Sequence, residues 1–447
     1  MSYRRFSVLI CVSLWAVLAN PAAGAQAPGR GEKWVASWTA SPHGPYPSGN
    51  PSAQPDLSAV FETAAGGAID QTFRLIVKPD LWGKAARIRL TNVFGAQPVT
   101  FDDVFVGLQS SGGNITPGTN RPVRFERGRT SVTIPAGASA ASDAIVLDFV
   151  RSPSDPLLAG RKLVVSFHVV GSSGPMTWHA KALTTSYVTA PRAGSHGREE
   201  SDAAFPFTTT SWYFLDAVDV VAAADVVVVA CFGDSITDGT ASTLNGDDRW
   251  PDVLSRRLHE KYGARVSVVN AGIGGNRVAS PARYSTATPT AGGPSALERF
   301  DRDVADLPGV SAVIWLEGIN DLSGGAKADA VIASMRDIVA RGRARGLKIL
   351  GATIVSSLGS ATAHGTPEAD AERQAINTFI RSAGAFDGVV DFDLATRDSQ
   401  TGGLRAAFQP NSTTGGPGDR LHPNRAGYQA MGNAVDLDLF APLFGRR

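Results

Sequence analysis

Val226-Val227-Val228-Val229-Ala230-Cys231-Phe232-Gly233-Asp234-Ser235-Ile236-Thr237-Asp238-Gly239 is the stretch that decides the fold. Its first five residues have the length and β-branched content of a buried strand. The chain then turns at Gly233 and presents Ser235 just past the strand end. In open α/β sheets, ligands bind beyond the carboxyl ends of the strands, so a serine there is placed for chemistry. Gly, Asp and Ser are also ordinary turn formers, and the segment alone does not separate the two readings.

Downstream, strand and helix patterns alternate. Strands are expected at Val226–Ala230, Arg265–Asn270, Ala312–Leu316, Lys348–Ile354 and Val389–Phe392, and helices at Pro251–Tyr262, Pro294–Ala305, Lys327–Arg345, Pro367–Ala383 and Asn424–Phe440. Five strands with crossover helices imply a parallel sheet covered on both faces. The loops Arg277–Gly293, Ser356–Thr366 and Thr396–Gly418 each follow a strand, so all are expected at the sheet edge that holds Ser235.

Upstream the pattern changes. Residues 26–33 are polar and read as disordered. From Trp34 to Val188 short runs rich in Val, Ile, Leu and Phe are separated by Gly, Pro, Ser and Asn, which predicts a β-sandwich-like domain over 34–190. Residues 191–224 read as linker and connecting strand, and 225–447 as the α/β domain. Two domains suit a chain of 447 residues. Trp34 and Trp38, and the pair Trp178-His179, are expected to pack, with a sugar platform as the alternative.

The first 25 residues read as a cleaved secretory signal: Arg4 and Arg5, the apolar Phe6 to Leu18, then Ala23-Gly24-Ala25. The apolar run is short for a membrane span, so the expected location is secreted or periplasmic with no stable membrane anchor. Of two cysteines, Cys11 would leave with the signal, and Cys231 reads as an apolar core residue. Basic and acidic residues balance, 42 against 41, with no basic stripe, which disfavours nucleic acid as a partner. No His, Cys, Asp and Glu cluster has metal-ligand spacing.

A serine hydroxyl needs a base to become a nucleophile at neutral pH. Among seven histidines, His422 stands out, in Asp419-Arg420-Leu421-His422-Pro423 at the entry to the last helix. Asp419, three residues earlier, can meet Nδ1 and leave Nε2 to take the serine proton. His259 reads as a helix-surface residue, and His364 as a loop residue with no orienting acid. Donors for a developing oxyanion follow the second and third strands, in Asn270-Ala271-Gly272-Ile273-Gly274-Gly275-Asn276 and Gly318-Ile319-Asn320-Asp321.

Ser, Gly, Asn and His in this order, on alternating strands and helices, resemble the SGNH hydrolases, also called the GDSL esterase/lipase superfamily, over about residues 225–440. The resemblance implies a flavodoxin-like three-layer α/β/α domain. It makes Ser235 the nucleophile, with Asp419 and His422 completing the triad. The N–H groups of Ser235 and Gly275 and the Asn320 side chain would form the oxyanion hole, with Gly274 as the alternative register. Trp34-Val35-Ala36-Ser37-Trp38-Thr39-Ala40-Ser41-Pro42 is similar to an exported bacterial arylesterase/acylhydrolase branch linked to xylan degradation. The expected function is a secreted serine ester hydrolase of short acyl groups, chiefly acetyl on plant-type polysaccharide, without metal or organic cofactor. The alternatives are a longer-chain lipase or arylesterase, and a non-catalytic carbohydrate-binding protein. The sequence leaves the oligomeric state open.

Overall fold

The computed structural model describes residues 28–382 and 384–445. The expected signal, residues 1–25, and Cys11 lie outside them. Among the described residues no helix is long and apolar enough to cross a membrane.

The front half holds two large antiparallel sheets and a two-stranded one, Trp178–His179 with Trp212–Tyr213. Of the large sheets, one orders Glu32–Thr39, Leu215–Ala223, Ala85–Thr91 and Ser139–Ala141. The other orders Phe207–Thr209, Ser186–Val188, Ile69–Val77, Leu163–Ser172, Val99–Leu108 and Arg121–Pro122. Alternation sets which side chains go inward. In Ala85–Thr91, Ile88 and Leu90 are buried, while Arg87 and Arg89 pair with Asp219 at 2.8 Å and Asp216 at 2.7 Å on the neighbouring strand. The inward residues of both sheets, among them Phe73, Leu75, Ile88, Phe101, Phe167 and Val218, share one core. Trp38 packs edge-on against Trp212, with ring centroids 4.8 Å apart, and Arg87 lies over Trp34.

Two spans differ from expectation here. Glu32 and Lys33, in the stretch read as disordered, pair with Ala223 and Ala222. The stretch 191–224 supplies Phe207–Thr209, Trp212–Tyr213 and Leu215–Ala223 to the sheets. Leu215–Ala223 lies between Glu32–Thr39 and Ala85–Thr91. Its partners are more than a hundred residues away, so no local signal marks it as a central strand.

The back half is a five-stranded parallel sheet. Its spatial order is Val266–Gly272, Val227–Gly233, Val310–Leu316, Lys348–Ala352, Val389–Val390. That is 2-1-3-4-5 in chain order, the flavodoxin-like order. The strand Val227–Gly233 sends alternate side chains to opposite faces. Val227, Val229 and Cys231 meet Trp250, Leu254 and Leu258 of the helix Trp250–Tyr262, and Tyr428 and Met431 of Arg425–Ala434. Val228, Ala230 and Phe232 join the core that contains Phe300, Met335, Ile338 and Ile376.

Element ends moved where side chains cap. The helix expected at Pro294–Ala305 begins at Ala296 and widens to a π-turn over Asp301–Ala305. Asp391 accepts from the Leu394 N–H, so Phe392–Thr396 is helical and the last strand stops at Val390. The final helix ends at Ala434. Val435 is extended, and Asp436 caps a separate 3₁₀ segment, Leu437–Phe444.

The two halves share their core rather than touching at a hinge. The Ala36 N–H donates to the Pro308 carbonyl at 2.8 Å. Ser267 Oγ donates to the Ala36 carbonyl at 2.7 Å, and Thr39 Oγ1 to the Asn270 carbonyl at 3.0 Å. This seam brings residues of the front half to the loops around Ser235.

Candidate active site

The buried strand Val227–Gly233 ends at the sheet edge, and Asp234 caps a one-turn helix, Ser235–Asp238, through the Ile236 N–H at 2.9 Å. That cap puts Ser235 first in the helix, 6% exposed, with its Oγ 2.8 Å from His422 Nε2. His422 Nδ1 meets Asp419 Oδ2 at 2.6 Å. The other carboxylate oxygen of Asp419 accepts the N–H groups of Leu421 and His422, both at 2.9 Å. Burial works to raise the Asp419 carboxyl. The hydrogen bond and charge of His422, with the two backbone donors, outweigh it and hold the group well below the usual carboxylate range.

Gly274 and Gly275 differ in what their N–H groups do. The Gly274 N–H donates to Asp238 Oδ2 at 2.8 Å. Among the described residues the N–H groups of Gly275 and Ser235 have no hydrogen-bond acceptor. Gly275 has φ +83°, a conformation that favours glycine, and its Cα lies close to the Asn50 amide. Asn320 Nδ2 gives one hydrogen to the Asn276 carbonyl at 2.8 Å, and its second hydrogen remains.

Residues that the sequence reading set aside also stand here. His364 Nε2 lies 3.1 Å from Asn320 Oδ1. Burial, with the charge of nearby His422, lowers the His364 pKa. His179 does more than pack: Nε2 meets Asp238 Oδ1 at 3.1 Å, and Nδ1 meets the Ser41 carbonyl at 2.9 Å. Burial works to raise Asp238, yet His179, Lys181 and Arg249 outweigh it and lower its pKa. Lys181 is buried beside Asp238 and donates to Ser52 Oγ at 3.0 Å; desolvation lowers its pKa. Asn50 Nδ2 donates to the Gly274 carbonyl at 3.1 Å. None of these front-half residues carries a local motif. Only the fold brings them to the site.

Other histidines stay apart. His168 bridges Asp102 and Asp70 at 2.7 and 2.9 Å, and His259 pairs with Asp80 at 2.9 Å. His43 is buried against Trp178, neither ring nitrogen has a hydrogen-bond partner among the described residues, and burial pulls its pKa down to about 3. Cys231 is buried, which pushes its thiol pKa well up and disqualifies it as a nucleophile.

Beneath the site lies the fully buried Arg299. Its guanidinium donates to Asn276 Oδ1 and the Gly233 carbonyl at 2.7 Å each and to the Ala271 carbonyl at 2.8 Å. It pairs with Asp303 at 3.2 Å and faces Glu317 at 3.6 Å. Burial pushes the Glu317 carboxyl up to about 7, with Arg299 acting against the rise. Arg299→Met is therefore expected to destabilise the fold by about 3–5 kcal/mol, because buried Glu317 loses its facing cation and buried Asp303 keeps only Arg302. Urea unfolding measures this. The loss should be smaller at pH 5 than at pH 8, since Glu317 holds its proton in the folded state below about 7 and needs the cation above it. A loss that does not change with pH would separate Glu317 from this role.

Comparison with known proteins adds the class. Residues 231–430 match the model of the GDSL-like Lipase/Acylhydrolase family. No curated protein matches the chain. Among solved structures, the chain is similar to a carbohydrate acetylesterase family member from Sinorhizobium meliloti, at 17% identity and TM-score 0.37, covering 49% of this chain and 99% of that one. It is also similar to the native M. smegmatis aryl esterase, at 16% identity and TM-score 0.35, covering 47% and 96%. A third is a GDSL-like lipase from Bacteroides thetaiotaomicron VPI-5482, at 18% and 0.34, covering 49% and 89%. At such scores the likeness carries no argument about substrate. The match spans residues 231–430, within the α/β half, and it is this segment that places the chain among carboxylic ester hydrolases.

Proposed function

We propose that the protein is an exported serine ester hydrolase of short acyl groups. The observation that carries the reading is the unbroken chain of hydrogen bonds from Ser235 Oγ through His422 to Asp419, at 2.8 and 2.6 Å. In this mechanism His422 takes the Ser235 proton as Oγ attacks the ester carbonyl. The negative charge that develops on the carbonyl oxygen is met by the N–H groups of Ser235 and Gly275 and the second Nδ2 hydrogen of Asn320. His422 then gives its proton to the departing alcohol. Water, activated by the same imidazole, releases the acid. Asp419 keeps the imidazole in the tautomer with Nε2 open to the serine. The choice of Gly275 over Gly274 is supported by the Gly274 N–H being bound to Asp238.

A cavity of about 310 Å³ adjoins Gly275 and Asn320, lined by Arg277, Ser280, Thr290 and His364 among others. Among the described residues its lining carries several polar side chains and no large aliphatic, Phe, Tyr or Trp side chain, which supports acetyl over fatty acyl groups and a hydroxyl-rich alcohol partner such as an acetylated plant polysaccharide. Export is supported by the sequence of residues 1–25. The test is kcat/KM on paired acetyl and decanoyl esters of one chromogenic alcohol. The acetyl ester is expected to win by about 10²-fold or more. Equal or better turnover of the decanoyl ester would turn the reading to a longer-chain lipase.

A further inference from the structure

We infer that Asn50, from the front half of the chain, is a positioning residue for the oxyanion donor Gly275. The inference rests on the ester-hydrolase reading above. Gly274 and Gly275 share one peptide unit, and in a trans peptide the carbonyl and the N–H point in opposite directions. Whatever holds the Gly274 carbonyl therefore aims the Gly275 N–H. The group that holds it is Asn50 Nδ2, at 3.1 Å. The preceding peptide is held too, because the Gly274 N–H is taken by Asp238 Oδ2 at 2.8 Å. Asp238 is itself fixed by His179 of the front half at 3.1 Å.

The need for such a hold follows from the backbone. Gly275 has φ +83°, a conformation open to glycine at little cost, and glycine is also the residue freest to leave it. Two consecutive glycines give a peptide plane that can flip unless its edges are tied. A flipped plane would turn the Gly274 carbonyl toward the oxyanion and the Gly275 N–H away. That exchanges attraction for repulsion where charge develops. Asn50 opposes the flip by donating to the carbonyl from the side opposite the Gly275 N–H. Asn50 is solvent-exposed and Asn50 and Gly275 line the same cavity, so the hold acts at the mouth of the cleft and not through the core.

The experiment compares wild type with Asn50→Ala and Asn50→Asp on a chromogenic acetate, with kcat and KM measured separately. Each protein is also titrated with an alkylboronic acid, which adds to the serine as a tetrahedral anion. Removing one oxyanion donor costs roughly 10²–10³ in rate, so loosening one is expected to lower kcat by about 10- to 100-fold. KM should stay within about twofold, and boronate affinity should fall in parallel with kcat. Asn50→Asp should be at least as impaired as Asn50→Ala, because a carboxylate cannot donate and repels the carbonyl it faces. Unchanged kcat, a rise in KM alone, or unchanged boronate affinity would each overturn the inference, the second by making Asn50 a plain substrate contact. An inert wild type, or a Ser235→Ala variant as active as wild type, would instead sink the hydrolase reading on which this rests.

Discussion

Ser235→Ala is expected to lower kcat/KM on a chromogenic acetate by about 10⁵- to 10⁶-fold, the scale on which hydrolytic triads lose rate with their nucleophile. The argument is geometric. Oγ is the atom bonded to His422 at 2.8 Å, and it makes no other hydrogen bond among the described residues. Removing it deletes the attacking atom and leaves His422 with nothing to deprotonate. The fold should tolerate the change, since alanine keeps the Cβ and the first turn of the helix is capped by Asp234 and not by Ser235. Thermal unfolding should be close to wild type. A fluorophosphonate should label wild type on the Ser235 peptide and leave the variant unlabelled. Near-normal turnover by a folded variant would remove Ser235 from the mechanism. Cys231 offers no substitute, being buried in the strand behind it.

Asp419→Asn should lower kcat by about 10⁴-fold while leaving the fold and KM nearly intact. The replacement has the same shape, and its oxygen can still accept the backbone donors of Leu421 and His422. Its amide nitrogen would then face His422 Nδ1 as a donor. The imidazole answers by moving its proton to Nε2, and the lone pair that should receive the serine proton is lost. The Asp419 carboxylate also offsets the positive charge that His422 gains during the reaction. Its depressed pKa means that it stays ionised through mild acid, so loss of its charge does not limit the reaction there. Steady-state kcat with a circular-dichroism control measures the effect. A fall of less than about tenfold would leave Asp419 as a turn-forming residue only.

Much of this site is legible in the order of residues, and the reason is local. Ser235, Gly275, Asn320 and the Asp419–His422 turn sit in segments whose strand, turn and cap chemistry is written within a few neighbours. Their convergence follows from parallel strands that all end at one edge. What is not legible is whatever depends on partners far along the chain. Trp178-His179 reads as a packing pair because its partner, Asp238, lies 59 residues on, in the one-turn helix at the end of another sheet's strand. Asn50 stands 224 residues from Gly274. Arg299 looks like one more charge on a short helix until the ends of Val227–Gly233 and Val266–Gly272 close over it. His364 lacks an acid in sequence and finds an amide oxygen in space. Leu215–Ala223 has the apolar content of a strand, but its central place comes only from its two partners.

The seam between the halves changes what the front part of the chain is. Asn50 and His179 bond to the segments beside Ser235 and Lys181 lies buried near Asp238, while the matched family segment begins only at residue 231. Substrate preference inferred from that segment alone would omit three side chains at or under the mouth of the cleft. The upstream half thus supplies side chains to the surroundings of Ser235 and is not an appendage. Exchanging it between related chains should be regarded as rebuilding half a lock, even when every residue of the triad is left in place.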